Sequence, residues 1–480
     1  MEQGGILKKG IQSVLYIFGS QALTLLLGLV TAFFIPKILS VSGYGYWNIY
    51  LFYAGYAGLF QLGLVDGIYL KYGNFEYKDL PFEIFRRVFD ILLVFLLGVT
   101  CLLIGSVFLF EKDPGKMYMY GMAAMNVSIG VLGIFVMVSQ VTNRFKQYSL
   151  MTVVGKFLFV ASIIILYFTN TFGFKVLSIS DFVVKVLMLL IMMLLFKELV
   201  FGERASWKEG LKESFDNIRA GMSLMIANVL GMLLLGMGRF IIERFQSVSN
   251  FGQYSFAINT TNLVMMFISS VSLVIYPILR RLNRDRLAES YRSINSLLMI
   301  MTFLLLLTYY PLEWLVEHYY SKFKPILSYL YIFYPIIIFQ SKIQMLVNSF
   351  FKTIREEKAL MFSNLLAVTL FSVIGFTSYY FLREIKTIVW CTLFVVAVWC
   401  YGSEIYINRK MKMKISWLHV LGELLVPIIF MLSVGLVGGL WGLVIYLATV
   451  TLYFAWHAKT IIGNSKALLG VIFNKRINLL

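Results

Sequence analysis

The sequence predicts an all-α polytopic membrane protein of about fourteen transmembrane helices, arranged as two parallel six-helix lobes plus two C-terminal helices. Three observations predict it. The 480 residues are 60% hydrophobic and only 14% charged, with a mean hydropathy of +0.81, whereas a soluble domain is about 45–50% apolar and about 25% charged. Apolar runs recur from end to end, each near the roughly 20 residues that a bilayer core about 30 Å thick requires. Finally, an octapeptide recurs: Ser40-Val41-Ser42-Gly43-Tyr44-Gly45-Tyr46-Trp47 and Ser247-Val248-Ser249-Asn250-Phe251-Gly252-Gln253-Tyr254 share SVS, a turn former, an aromatic, Gly and a closing aromatic, 207 residues apart.

In chain order the first six helices are expected at about 12–36, 47–70, 87–110, 117–142, 150–171 and 176–196. The next six follow at 219–242, 255–279, 294–317, 325–349, 359–382 and 387–408, and the last two at 416–435 and 440–458. Residues 1–10 lack a signal-peptide cleavage pattern, so the first apolar run is expected to stay as a helix. Pro36 and Pro277 stand where helices one and eight end at the membrane surface. Pro311, Pro335 and Pro427 fall inside helices nine, ten and thirteen, where a missing N–H frees a carbonyl and permits a bend. The longest polar insert, 197–218, reads as a connector, and Gly435-Leu436-Val437-Gly438-Gly439 as a tight outer turn between the last two helices. The two octapeptides occupy outer turns, where Tyr44, Tyr46, Trp47, Phe251 and Tyr254 are expected to anchor at the membrane interface, with stacking on sugars as the alternative.

Lysine and arginine orient the chain. With the N-terminus inside, inner segments hold 29 of the 42 Lys and Arg residues and outer segments hold nine. Inner loops are richer in Lys and Arg, so both termini are expected in the cytoplasm. The densest inner loop carries Arg280, Arg281, Arg284, Arg286 and Arg292. The same bias accounts for most of the +18 net charge without nucleic acid.

The 207-residue offset places helices three to six onto helices nine to twelve, and the polar loop at 71–87 onto the Arg-rich loop at 278–294. Helix seven comes six crossings after helix one, so the two point the same way. The halves are then parallel repeats about an axis along the membrane normal, an arrangement that packs around a central substrate path. The expected divisions are 1–218, 219–410 and 411–480, the last holding helices thirteen and fourteen and a cytoplasmic tail.

Four cations remain inside predicted helices: Lys156, Lys185, Arg239 and Lys342. Each costs roughly 2.5–3.5 kcal/mol at mid-bilayer, so they are expected to line a wet, cationic cavity. Lys156 and Arg239 lie near helix ends, where snorkelling is the alternative. Asp181 precedes Lys185 by four residues and shares its helical face. That pair is either an internal ion pair or one that separates when an anion or proton arrives. Arg239 and Glu243 repeat the spacing. Asp66, Asp90 and Glu423 are candidates to carry a coupling proton, with Asp66 foremost, since burial raises a carboxyl pKa.

Catalytic patterns are missing from the sequence. His318, His419 and His457 are scattered, there is no HExxH, GxSxG or Walker-type loop, and Gly43-x-Gly45 has no βα context. Cys101, Cys391 and Cys400 lie in apolar runs with the spacing of neither a disulfide framework nor a zinc site. The expectation is no catalytic residue, no metal and no cofactor. Without an ATP site, transport would draw on an ion or substrate gradient.

The stretch Phe34-Ile35-Pro36-Lys37-Ile38-Leu39 leading into Ser40–Trp47 resembles the first-loop signature of Wzx-type bacterial polysaccharide flippases of the MOP superfamily, relatives of MATE exporters and lipid II flippases. The segment from Phe251-Gly252-Gln253-Tyr254-Ser255 to Tyr276-Pro277-Ile278-Leu279-Arg280-Arg281 is similar to that family's helix-eight pattern. The resemblance implies carriage of an undecaprenyl-diphosphate-linked glycan from the inner to the outer leaflet of the cytoplasmic membrane, by alternating access between two six-helix lobes. It implies H+ or Na+ as coupling ion, contact with membrane lipids and with polysaccharide polymerase machinery, and a groove for the lipid tail at helices thirteen and fourteen. It also implies that Lys156, Lys185, Arg239 and Lys342 bind the diphosphate or acidic sugars. A lipid II flippase differs from this only in cargo. A MATE-like exporter of cationic drugs would want a carboxylate-rich cavity. A membrane polysaccharide polymerase or glycosyltransferase would want a large outer loop, and the longest here is about residues 243–254.

Overall fold

In hydrocarbon a chain satisfies its backbone only by closing hydrogen bonds within helices or a closed barrel, and this sequence takes the first route. The computed structural model describes residues 2–73, 75–279, 284–413 and 417–477. Among the described residues every regular element is helical. The α-helices are α1 Glu2–Ile38, α2 Val41–Gly55, α3 Leu64–Lys71, α4 Phe82–Phe110, α5 Pro114–Ser128, α6 Leu132–Val141, α7 Phe145–Phe168, α8 Phe174–Leu195, α9 Trp207–Phe245 and α10 Val248–Leu279. They continue as α11 Arg284–Leu306, α12 Tyr309–His318, α13 Leu327–Phe333, α14 Ile336–Lys342, α15 Asn348–Thr353, α16 Glu357–Leu382, α17 Ile385–Lys410, α18 Trp417–Leu432 and α19 Gly439–Ile477.

Eleven helices among the described residues are long and apolar enough to span a membrane, and two bent pairs make thirteen if each counts as one span. The eighth expected span coincides with α10, whose side chains are described only in part. Arg280 and Arg281 of the expected basic loop, and Lys414, lie outside the described residues.

Helix starts differ from expectation where caps decide them. The 197–218 insert is helical from Trp207, because Ser206 and Glu209 form a reciprocal capping box: Ser206 N–H donates to Glu209 Oε2 at 3.0 Å, and Glu209 N–H to Ser206 Oγ at 3.2 Å. At α5, Asp113 accepts from Gly115 N and Lys116 N at 2.7 and 3.0 Å, with Pro114 at the first position. The second expected helix is broken instead of continuous. Leu62 and Gly63 take positive φ (53° and 80°), and the axis turns by 58° between Val41–Gln61 and Leu64–Lys71. The tenth is bent by 53° at Tyr334-Pro335, as a ring without an N–H predicts. Gly438 and Gly439, at φ 66° and 53°, form the expected turn after α18.

The chain divides into two compact units, Met1–Met232 with Gln246–Gly252, and Leu233–Phe245 with Gln253–Leu480. In the first, α4 and α2 pack on α5, α1 and α8 pack on α7, and α3 packs on α6. Leu92, Leu96, Phe135 and Phe196 lie in its apolar core. Gly67 and Gly221 let α3 cross α9 backbone to backbone, since a Cβ on Gly67 would lie 1.9 Å from the Asn217 carbonyl oxygen. Polar loops clasp its basic end: Arg144 covers the Tyr77 ring at 3.4 Å, Tyr77 donates to Glu198 at 3.0 Å, and Arg86 Nε donates to the Glu198 carbonyl at 2.8 Å.

In the second unit α16 packs on α17, α11 on α19, and α14 on both α11 and α17. Phe430 of α18 meets Tyr309 and Tyr446 edge-on at 5.6 and 5.1 Å. A loop clasp recurs here, where Lys410 bonds Glu356 at 2.6 Å and holds its carboxyl below the usual carboxylate range.

Candidate functional site

The repeated octapeptide does not form an extended outer turn. Ser40 Oγ accepts from Gly43 N at 3.0 Å and Ser247 Oγ from Asn250 N at 3.1 Å, so each copy is an N-cap followed by the first turns of a helix. The caps start α2 and α10 six or seven residues before the expected boundaries. The two copies also touch. A Cβ on Gly45 would lie 2.1 Å from the Val248 carbonyl oxygen, and one on Gly252 would lie 2.4 Å from that of Val41. The aromatics are neither interfacial anchors nor free stacking platforms: Tyr44 and Trp47 are 3% exposed, and Phe251 and Tyr254 are buried. Helical phase turns them into the protein once the helix begins at the serine. Tyr46 stacks on Phe174 at 4.7 Å and donates to Asp113.

This early start sets the phase of α2, and one turn further on α2 delivers Tyr50 to a polar cluster inside the first unit. Tyr50, packed against Trp47 at 5.3 Å, donates its hydroxyl to Asp181 Oδ2. Lys185 Nζ lies 2.7 Å from the same oxygen and donates to Asn126 Oδ1 at 2.7 Å. Asn126 Nδ2 donates in turn to Tyr50 Oη at 3.0 Å and to the Met122 carbonyl at 2.9 Å. Lys156 of α7 stands near enough to feel both Asp181 and Lys185. Two ammonium groups against one carboxylate give the cluster a net charge of +1. Lys185 keeps 38% of its side chain exposed and Asp181 keeps 15%. Four helices of the unit thus join two of the expected cations and one expected acid. The 2.7 Å pair is the one that the four-residue spacing on α8 permits.

The other expected residues lie apart from that cluster. Arg239 donates to Asn259 Oδ1 at 2.9 Å in the second unit. Lys342 is 1% exposed and held by Glu404 and Glu423 at 2.8 and 2.7 Å. The two carboxylates enclose its ammonium, in place of the wet surroundings expected for it. Asp66 occupies the first turn of α3, half-buried, with no ion pair among the described residues. Asp90 pairs with Arg204 at 2.6 Å and Arg87 at 3.7 Å, fastening α4 to the segment before α9.

Sequence reading missed Tyr50, Asn126 and Glu404. Asn126 had a signal, being an amide in the apolar run Met122-Ala123-Ala124-Met125-Asn126-Val127. A search restricted to charges passes over it. Tyr50 is one of 29 tyrosines and carries no local mark.

A family model described as polysaccharide biosynthesis protein matches residues 11–283. No curated protein is matched. Among solved structures the chain is similar to an inward-facing multidrug resistance MATE family transporter of the MOP superfamily, with TM-score 0.62 and 13% identity, over 82% of this chain and 94% of that one. It is similar to the lipid II flippase MurJ in an inward closed conformation, with TM-score 0.62 and 13% identity, over 94% and 100%. A mutant of the Vibrio cholerae MATE transporter VcmN follows at TM-score 0.56 and 11% identity, over 85% and 98%. At these identities the likeness shows a common helical fold.

Proposed function

We propose, given that this chain belongs to the polysaccharide biosynthesis protein family, that it is a flippase. It carries an undecaprenyl-diphosphate-linked oligosaccharide from the inner to the outer leaflet of the bacterial cytoplasmic membrane. The observation that carries the reading is the cationic cluster of Lys156, Asp181 and Lys185, buttressed by Tyr50 and Asn126, within helices of membrane-spanning length. A diphosphate with its sugars cannot enter about 30 Å of hydrocarbon unaided, while a polyprenyl tail can stay there. The head group needs a polar cleft with cations, and mobile pairing suits it better than fixed pairing. An arriving diphosphate competes with Asp181 for Lys185 and gains Lys156. Tyr50 and Asn126 meanwhile keep hydrogen bonds to the displaced groups. The exposed flank of Lys185 is the side of approach.

The remaining assignments extend this reading. Arg239 serves as a further contact to phosphate or acidic sugar. Segments 1–218 and 219–410 are the moving lobes of an alternating-access cycle, and 411–480 adds helices toward the lipid tail. Both termini are cytoplasmic, in line with the 29 basic residues of the expected inner segments. The cycle is transport without covalent catalysis, coupled to an ion gradient, and its product passes to polysaccharide polymerase machinery. The polysaccharide biosynthesis family and the net positive charge of the cluster support an anionic, lipid-linked cargo over a cationic drug.

Deleting the gene should accumulate lipid-linked oligosaccharide on the inner leaflet, and re-expressing the chain should clear it. Undiminished export without the chain would refute the reading.

A further inference from the structure

The cluster around Lys342 has no part in the head-group site, and its charges do not balance. Lys342 Nζ sits between Glu404 Oε2 at 2.8 Å and Glu423 Oε2 at 2.7 Å. The groups facing it come from five helices of the second unit. Tyr291 and Asn295 come from α11, Lys342 from α14, and Cys400, Tyr401 and Glu404 from α17. Glu423 comes from α18 and Tyr453 from α19, with His457 stacked on Tyr453 at 4.4 Å. Lys342 is the single ammonium or guanidinium among these described groups. One ammonium against two carboxylates leaves one net negative charge in a buried place, where an uncompensated ion is expensive.

A second observation shows what would balance it. Asn295 Nδ2 donates to Glu423 Oε1 at 2.9 Å, yet the amide's own Oδ1 is buried without a hydrogen-bond partner. Tyr291, 3% exposed, sets its hydroxyl against Glu404 without a well-formed hydrogen bond. An amide and a phenol are two-way partners, able to donate to a carboxylate or accept from a carboxylic acid. Each glutamate therefore has a neighbour that can serve it in either protonation state, Asn295 by turning its amide over. A metal ion would have to share the space that Lys342 Nζ already fills between the carboxylates. A proton needs no such volume.

We propose that the Lys342–Glu404–Glu423 cluster binds and releases one proton, shared between the two carboxyl groups, and that this proton is the coupling ion of transport. Its role in coupling rests on the flippase reading, whereas its binding does not. On uptake one carboxylate becomes a carboxylic acid and the cluster passes from one net negative charge to neutral. Release reverses this, and no other covalent bond changes. Glu404, whose side chain is 10% exposed against 3% for Glu423, is the exchange side. Among the described residues Asp66 has no such counter-charged frame, and this pair takes precedence over it as the proton's seat.

The test is infrared difference spectroscopy of the purified full chain in lipid nanodiscs, stepped in pH at constant sodium. The wild type should show a carboxylic-acid carbonyl band that appears on acidification. Glu404→Gln and Glu423→Gln each leave one ammonium beside one carboxylate, a neutral pair, so each should lose the band. Glu356→Gln, in the loop clasp with Lys410 and outside the contacts of Lys342, should keep it. In proteoliposomes the two glutamine variants should lose at least about tenfold in flipping driven by a pH gradient, a loss of about 1.4 kcal/mol in the driven step. A band that persists in both variants, or that answers to sodium and not to pH, overturns the proposal. A band that behaves as expected in a wild type that moves no lipid-linked oligosaccharide upholds the proton site and refutes the flippase reading.

Discussion

Lys185 and Lys342 carry the same charge and occupy opposite situations. Lys185 is partly exposed, shares one carboxylate with Tyr50 and has a second cation in range. Removing it should weaken the attraction for a diphosphate with little harm to the fold. Lys185→Ala is expected to slow flipping in proteoliposomes at least about tenfold, with Lys185→Arg retaining part of it, since charge-assisted bonds to phosphate survive that exchange. Equal rates for wild type and Lys185→Ala would remove this residue from the binding site. Lys342 is sealed. Lys342→Ala strands two buried carboxylates and should cost about 3–5 kcal/mol, read as a lower unfolding temperature in detergent. Adding Glu404→Gln and Glu423→Gln to it should recover much of the loss, because no uncompensated charge then remains. Four candidate cations were legible in the sequence as charges without a loop to explain them. Which of them is caged was not, because Glu404 and Glu423 lie 62 and 81 residues from Lys342.

At the scale of elements, the octapeptides act as caps and crossing points. Gly45 and Gly252 allow the first turns of α2 and α10 to meet. A methyl group at Gly45 requires the backbones to separate, and Gly45→Ala should cost about 1–3 kcal/mol as an overpacked contact. Gly55, where an added methyl carbon would meet nothing within 4 Å, is the control, and Gly55→Ala should leave stability unchanged. Thermal unfolding of both variants in detergent decides this; equal stability would show the crossing to be slack. The bend at Pro335 and the turn at Gly438-Gly439 were readable because each rests on one residue's own backbone restriction. The break at Leu62-Gly63 was hidden, because it also depends on α9 lying against it through Gly221. The start of α9 could have been read from Ser206-Trp207-Lys208-Glu209, whose end residues close the capping box.

For the molecule as a whole, the contact of the two octapeptides makes a topological demand. Cysteines placed at Ser42 and Ser249, one in each copy, should both label from outside the cell with an impermeant reagent. Cysteines at Lys78 and Lys208, in the basic segments, should label only after the membrane is opened. Labelling of Ser42 and Ser249 from opposite sides would contradict parallel repeats.

Chain chemistry alone was enough to establish that this protein is helical and membrane-spanning, where most spans lie and which charges fall inside them. Those properties follow from local hydropathy, from the backbone limits of proline and glycine, and from the cost of a charge in hydrocarbon. Which polar groups meet is a matter of packing, and it emerged with the folded chain. Lys185 reaches Asn126 across 59 residues, and Tyr50 reaches Asp181 across 131. Helical periodicity specifies the face on which a side chain lies, not the neighbour packed against that face. The same limit concealed that one lysine, Lys185, sits in a cluster with an excess of positive charge while another, Lys342, is outnumbered by carboxylates.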